Sequence, residues 1–318
     1  MFKGVPGMKS LLQCGAFTFT PKRRLWVISD LQQSDPRMAE WCMHTGVDDC
    51  LGLHLEIDAV CYLGDATEGC SINHLREMAD MQVRELARVD APVYYVLGNH
   101  EFDYHRNVDG PGKLTIPMRE RILRESQWHT AASVADWSFS ADFGDLALFF
   151  LTDHADPVEG RWCTTHCYHQ DVPREIHTPH DHDADAETVR ARMVSLGKPF
   201  FTFSHYSFHG GNRDFEGDLQ EKLLPLPSEH LAHFYGHSHI GDHVWGRENF
   251  LRQISTINET ATTQFDVASL ESRRGNAIRS AFVEWYGGHD YAVFFRDHLH
   301  ARWEKVLAEC DGGCASRS

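Results

Sequence analysis

Along this chain, short runs of β-branched and aromatic residues alternate with stretches whose apolar positions recur at helical spacing, which is the pattern of an α/β fold. Strand-like runs occur at 25–30 (LWVISD), 58–65 (DAVCYLGD), 92–98 (PVYYVLG), 200–205 (FFTFSH) and 231–239 (LAHFYGHSH). Residues 137–153 predict a hairpin around Gly144-Asp145, and two later runs, AFVEWY and DYAVFF, predict another joined by Gly287-Gly288. A further strand is expected in FLRQISTI at 250–257. Between these runs, 34–56 predicts two helices broken near Gly46. A longer helix is predicted over 71–89, with Ile72, Leu75, Met78, Ala79, Gln82, Val83 and Leu86 inward and Arg76, Glu77, Arg84, Glu85 and Arg88 outward. Helices are also predicted over 111–126 and 186–196, and a closing helix over 297–310.

Five of the apolar runs end in side chains suited to binding a metal. Asp30 with Gln32 closes the first, Gly64-Asp65 the second and Gly98-Asn99-His100-Glu101 the third, while His205 ends the fourth and Gly236-His237-Ser238-His239 the fifth. Carboxyl ends of strands are where open α/β sheets place ligands, and glycine lets the chain turn sharply there. A strand-end aspartate alone commonly caps a turn, and a lone histidine is commonly a satisfied polar group. Five such ends in one chain point instead to a shared site.

Taken in order, the series Asp-x-Gln, Gly-Asp, Gly-Asn-His-Glu, His and Gly-His-Ser-His resembles the calcineurin-like metallophosphoesterase superfamily over residues 25–245. The first block departs from the commoner Asp-x-His. The resemblance implies a four-layer αββα sandwich of two mixed β-sheets flanked by helices, in one domain spanning 23–310 with a 1–22 extension and a 311–318 tail. It implies two divalent metal ions, with Asp30, Gln32, Asp65 and His239 on one and Asp65, Asn99, His205 and His237 on the other. Asp65 is the expected bridge, and the resemblance implies that His100 stands beside the metals to stabilise phosphoryl oxygens or protonate the leaving group. The activity implied is hydrolysis of a phosphate mono- or diester by a metal-bridging hydroxide. A non-catalytic binding module on the same fold and a nuclease are the alternatives.

The donor types bear on the metal by themselves. Oxygen and imidazole ligands without thiolate suit Mn, Fe, Ni or Zn, and the amide of Gln32 makes the first position harder, which favours Mn²⁺ or Mg²⁺. Mn²⁺ is the leading expectation.

Composition narrows the partners. Across 318 residues the formal net charge is −16, which argues against binding a nucleic-acid polymer, whose backbone is held by clustered Lys and Arg. A small phosphorylated substrate is expected instead. Nine scattered cysteines, with Cys61 inside a predicted buried strand, read as the reduced usage of a cytoplasmic protein. No apolar run is long enough to span a bilayer, and the first twenty residues lack a signal-peptide core. The irregular insertion 154–185 is rich in histidine, and within it Cys163, His166, Cys167 and His169 have the residue types of a structural zinc site, though a solvated loop explains them as well.

Overall fold

The computed structural model describes residues 13–14, 17–18, 20–33, 35–67, 72–98, 104–106, 114–117, 138–151, 182–207, 223–237, 239, 252–257, 260–273 and 277–309. In chain order the strands and helices are β1 (Gln13–Cys14), β2 (Phe17–Thr18), β3 (Arg23–Ile28), α1 (Pro36–Gly52), β4 (Ala59–Tyr62), α2 (Ile72–Leu86), β5 (Val93–Tyr95), β6 (Tyr104–Arg106) and β7 (Leu114–Pro117). They continue with β8 (Ser138–Asp142), β9 (Ala147–Leu151), α3 (His182–Leu196), β10 (Phe200–Ser204), β11 (His230–Tyr235), β12 (Arg252–Ile257), β13 (Thr260–Asp266), β14 (Arg279–Gly287), β15 (Asp290–Asp297) and β16 (Arg302–Glu309).

Two six-stranded mixed sheets form the body, in the orders β16-β15-β14-β3-β4-β5 and β12-β13-β11-β10-β9-β8. Alternation along each strand divides the core. In β3, Leu25 and Val27 point into the space between the sheets, where they meet Phe203, Phe234, Val283 and Phe295, while Trp26 and Ile28 face α1 and α2. On the far side, Phe149, Leu151 and Phe200 pack under Val189 and Met193 of α3. The result is the αββα sandwich implied by the sequence. The strands before Asp30 and Asp65 are parallel neighbours, Leu25 opposite Ala59 and Ile28 opposite Tyr62. In the second sheet β9, β10, β11 and β13 are parallel, so their carboxyl ends share one side.

Several expectations are corrected. Residues 36–52 form one helix, capped by Asp35, whose carboxylate accepts the Arg37 N–H at 2.9 Å. Gly46 does not break it, since a glycine inside a helix costs only about 1 kcal/mol, and a β-carbon there would stand 3.3 Å from Leu270 Cδ2. The glycine is a close-packing position. The closing helix is replaced by a turn and β16, antiparallel to β15. Its sequence favours helix locally, but Trp303 packs edge-on against Phe282 and Phe294 with ring centroids 5.6 and 5.9 Å away, and pairing with the sheet outweighs local preference. Within the helix expected over 111–126, residues 114–117 are strand β7, and the rest lies outside the described residues. Strand β13 carries no strand signal in the sequence, since TATTQFD holds no long apolar run. Glu85 of α2, expected outward, is buried and meets Arg88 Nη1 at 2.6 Å and His44 Nδ1 at 3.1 Å.

Candidate metal centre

The parallel strand ends of both sheets converge through three glycines, of which Gly64 and Gly98 let backbones touch and Gly236 makes room for the Ser29 and Asp30 side chains. A β-carbon on Gly64 would lie 2.5 Å from the Gly98 nitrogen, one on Gly98 would lie 2.7 Å from the Asp65 nitrogen, and one on Gly236 would lie 2.5 Å from Asp30 Oδ2. The glycines of the Gly-Asp, Gly-Asn-His-Glu and Gly-His-Ser-His blocks are therefore the points where strand ends close on one another. Gly64 also has φ +89°.

Backbone conformation marks the same place. Of the nine non-glycine residues with positive φ among the described residues, five are Asp30 (52°), Gln32 (25°), Asp65 (51°), His237 (66°) and His239 (50°). Such conformations cost on the order of 1–3 kcal/mol each and persist where the surroundings impose them. Here the Asp30 N–H donates to the Gly64 carbonyl (3.1 Å) and the Gln32 N–H to the Asp65 carbonyl (3.1 Å), so two strand ends hold each other in place.

Each side chain is oriented so that one donor atom faces its neighbours. Asp30 Oδ2 accepts from Ser29 Oγ and from the His237 N–H (2.9 Å), while Oδ1 carries no hydrogen bond and stands 3.2 Å from His239 Nε2. The Leu63 carbonyl takes His205 Nδ1–H at 2.7 Å, leaving His205 Nε2 at 3.2 Å from Asp65 Oδ2 and 3.1 Å from His237 Nδ1. Gln32 Nε2 donates to Asp65 Oδ2 at 3.1 Å, and its buried Oε1 has no hydrogen-bond partner. All six residues are at least nine-tenths buried.

Burying this many polar atoms is costly unless something compensates them. Burial would lower the His205 pKa, but the Asp65 and Asp30 carboxylates outweigh it and push the imidazole up to about 9. Burial raises the Asp30 carboxyl, opposed by His239 and His205. A pocket that holds a proton on a buried imidazole is a cation well. Asp65, His205 and His237 each offer a ligand atom within 4.8 Å of the others, and the orphaned oxygens of Asp30 and Gln32 are hard donors. These residues fit divalent ions.

The structure thus brings Asp30, Gln32, Asp65, His205, His237 and His239 together. Asn99, His100 and Glu101 lie outside the described residues, as do Cys163, His166, Cys167 and His169. Two neighbours escaped the sequence reading. Glu271 Oε1 stands 3.0 Å from His239 Nδ1, and Arg273 reaches both Glu271 Oε2 and the Gln32 carbonyl. Burial raises the Glu271 carboxyl, but His239 and Arg273 outweigh it and hold the group below the ordinary carboxylate range. Neither residue ends an apolar run, so no strand-end signal marks them.

Comparison with known proteins agrees with this geometry. The family model of calcineurin-like phosphoesterases matches residues 23–241, and the chain belongs to that family of metal-dependent phosphoesterases, whose centres imply divalent ions. Among solved structures, a dimetal phosphatase from Danio rerio superposes with a TM-score of 0.60 at 12% identity, covering 91% of this chain and 98% of that one. A purple acid phosphatase from yellow lupin (Lupinus luteus) seeds superposes with a TM-score of 0.51 at 14% identity, covering 90% of this chain and 53% of that one. At such identities these likenesses speak to the fold. No curated protein sequence matches this chain. Among the described residues, no helix is long and apolar enough to cross a membrane.

Proposed function

We propose that this chain is a dinuclear phosphoesterase acting on phosphate mono- or diesters of a small soluble substrate. The observation that carries the reading is the convergence of six buried donors, drawn from both sheets, on one point where Asp65, His205 and His237 present ligand atoms within 4.8 Å of one another. Asp30, Gln32 and His239 would hold one ion and His205, His237 and Asn99 the other, with Asp65 shared. Two divalent ions so held neutralise the anionic oxygens of the ester and supply a nucleophile from water at neutral pH.

The chain's own residues do the rest. Leu63 and Asp30 fix the His205 ring and the His237 backbone, so neither needs to reorient during turnover. Asp65 Oδ2 accepts from Gln32 Nε2 at 3.1 Å, which orients its carboxylate in the site. His100, directly after Asn99, is the proposed proton donor to the leaving oxygen. Mn²⁺ is the proposed metal, because the Gln32 amide replaces a softer imidazole. The domain is proposed to span 23–310, with flanks 1–22 and 311–318. Free, buried Cys42, Cys50 and Cys61 support a reducing, cytoplasmic setting.

The test is release of p-nitrophenol from p-nitrophenyl phosphate and from bis-p-nitrophenyl phosphate by Mn²⁺-loaded protein. Turnover of at least one ester is expected, abolished by chelator and by Asp65→Asn. No turnover of either ester after verified metal loading would sink the enzymatic reading in favour of a binding module. A panel of phosphorylated metabolites then narrows the substrate.

A further inference from the structure

The family match ends at residue 241, yet a later segment is built into the centre. After β13 the chain runs across the ends of both sheets. The Val267 N–H donates to the Tyr235 carbonyl (2.9 Å), at the end of the strand leading to His237 and His239, and the Leu270 N–H donates to the Ser29 carbonyl (2.9 Å), next to Asp30. Leu270 is fully buried against α1 at Gly46. These anchors hold Glu271 with no exposed surface, and an ionised carboxylate is kept in such a place only when it is paired.

Of its two oxygens, Oε2 is hydrogen-bonded, whereas Oε1 meets His239 Nδ1 at ion-pair distance without the geometry of a hydrogen bond. Oε1 lies 3.0 Å from His239 Nδ1, and Oε2 accepts from Arg273 Nε, whose Nη2 donates to the backbone carbonyl of Gln32. A neutral imidazole has one proton and two nitrogens, and with Asp30 Oδ1 beside Nε2 it is the carboxylate at Nδ1 that can draw the proton away from the metal-facing nitrogen. With the proton on Nδ1, the Nε2 lone pair and Asp30 Oδ1, 3.2 Å apart, are both left as donors for a cation. Carboxylate partners of this kind orient a ligating histidine and raise its basicity.

We propose that Glu271 and Arg273 are positioning residues for the first metal position: Glu271 fixes the tautomer and ring of His239, and Arg273 ties Gln32 to the same carboxylate. The proposal rests on the metal-centre reading above. It makes the Asp-x-Gln block and the 267–273 segment one unit, in which the backbone of the residue carrying a weak amide donor is held by a guanidinium whose carboxylate partner stands beside the neighbouring histidine.

Two readouts independent of turnover test it. Calorimetric Mn²⁺ titration of the parent, His239→Ala, Glu271→Met and Arg273→Met follows each position separately, and long-range proton–nitrogen NMR of metal-free protein reads the His239 tautomer. The parent is expected to carry a proton on His239 Nδ1, and removal of the Glu271 carboxylate to leave it on Nε2, beside Asp30. Glu271→Met should lose that tautomer preference and weaken, by roughly 10- to 100-fold, the same binding step that His239→Ala removes, leaving the other step unchanged. Arg273→Met, at a side chain about a third exposed, should weaken that step by a smaller factor, and it carries the test should Glu271→Met fail to fold. If His239→Ala removes one step while Glu271→Met and Arg273→Met keep parental affinities and tautomer, the positioning role is wrong and the metal centre stands. If the parent binds no Mn²⁺, or His239→Ala changes nothing, the metal-centre reading itself fails and this proposal with it.

Discussion

Gly98→Ala separates placement of the Asp65 carboxylate from stability of the fold. Gly98 needs no unusual backbone angle, so the substitution acts by contact alone. The added methyl would stand 2.7 Å from the Asp65 nitrogen, 3.0 Å from its Cγ, and inside van der Waals contact with Oδ1. Ordinary contact for such atoms begins near 3.4 Å, so Asp65 must retreat by about 0.7 Å or more. A misplacement of ~1 Å at a reacting centre costs about 100-fold in rate, equivalent to about 2.7 kcal/mol of transition-state stabilisation. Overpacking of one methyl costs on the order of 1–3 kcal/mol in stability, which a chain of this size survives. Gly52→Ala, with nothing within 4 Å of its β-carbon, is the control and should match the parent. The assay is kcat/KM for p-nitrophenyl phosphate at saturating Mn²⁺, beside a thermal melt. Parental kcat/KM in a folded Gly98→Ala protein would refute the reasoning, because the carboxylate would then not need the position that the glycine allows it.

Three further outcomes are expected. Gln32→His should raise affinity for Zn²⁺ at one position and move the activating metal away from Mn²⁺; identical calorimetry for parent, Gln32→His and Gln32→Ala would mean that Gln32 is no ligand. Burial raises the Asp49 carboxyl, but Arg296 (2.6 and 2.7 Å) and His298 (2.8 Å) outweigh it and hold it at about 2, against 3.8 for an ordinary Asp. This depressed value contributes about 2 kcal/mol above pH 4, lost as pH falls through 2. In metal-free protein, urea unfolding should therefore show Asp49→Asn about 2 kcal/mol less stable than the parent at pH 7, with the gap narrowing toward pH 2, and a gap independent of pH would contradict the ion-pair origin. Arg24 and Glu284 are fully buried partners across β3 and β14, with Arg24 Nε 2.9 Å from Glu284 Oε1. Glu284→Met removes the carboxylate that neutralises the guanidinium, whose Nη1 still donates to the Glu56 carbonyl at 3.0 Å, and should cost roughly 3–5 kcal/mol, whereas a loss under 1 kcal/mol in chemical denaturation would show that water reaches Arg24.

What the sequence determined by itself was local. The β-branched and aromatic runs, the glycines that end them and the donors that follow are contiguous in the chain, so the two mixed sheets and the members Asp30, Gln32, Asp65, His205, His237 and His239 were legible from spacing and from a family resemblance built on it. Tertiary structure decided whatever depends on partners far away in sequence. RWEKVLAE looks helical alone and becomes β16 because β15 offers it an edge, and Gly46 looks like a helix break until Leu270, more than two hundred residues later, needs its space. The left-handed backbone of Asp30, Gln32 and Asp65 goes with strand ends bonded to one another. Glu271 comes to His239 only because Tyr235 and Ser29, at the ends of strands from different sheets, each hold one peptide of the segment that carries it. Local propensity is written residue by residue, but a buried carboxylate finds its partner only when the sheets have closed.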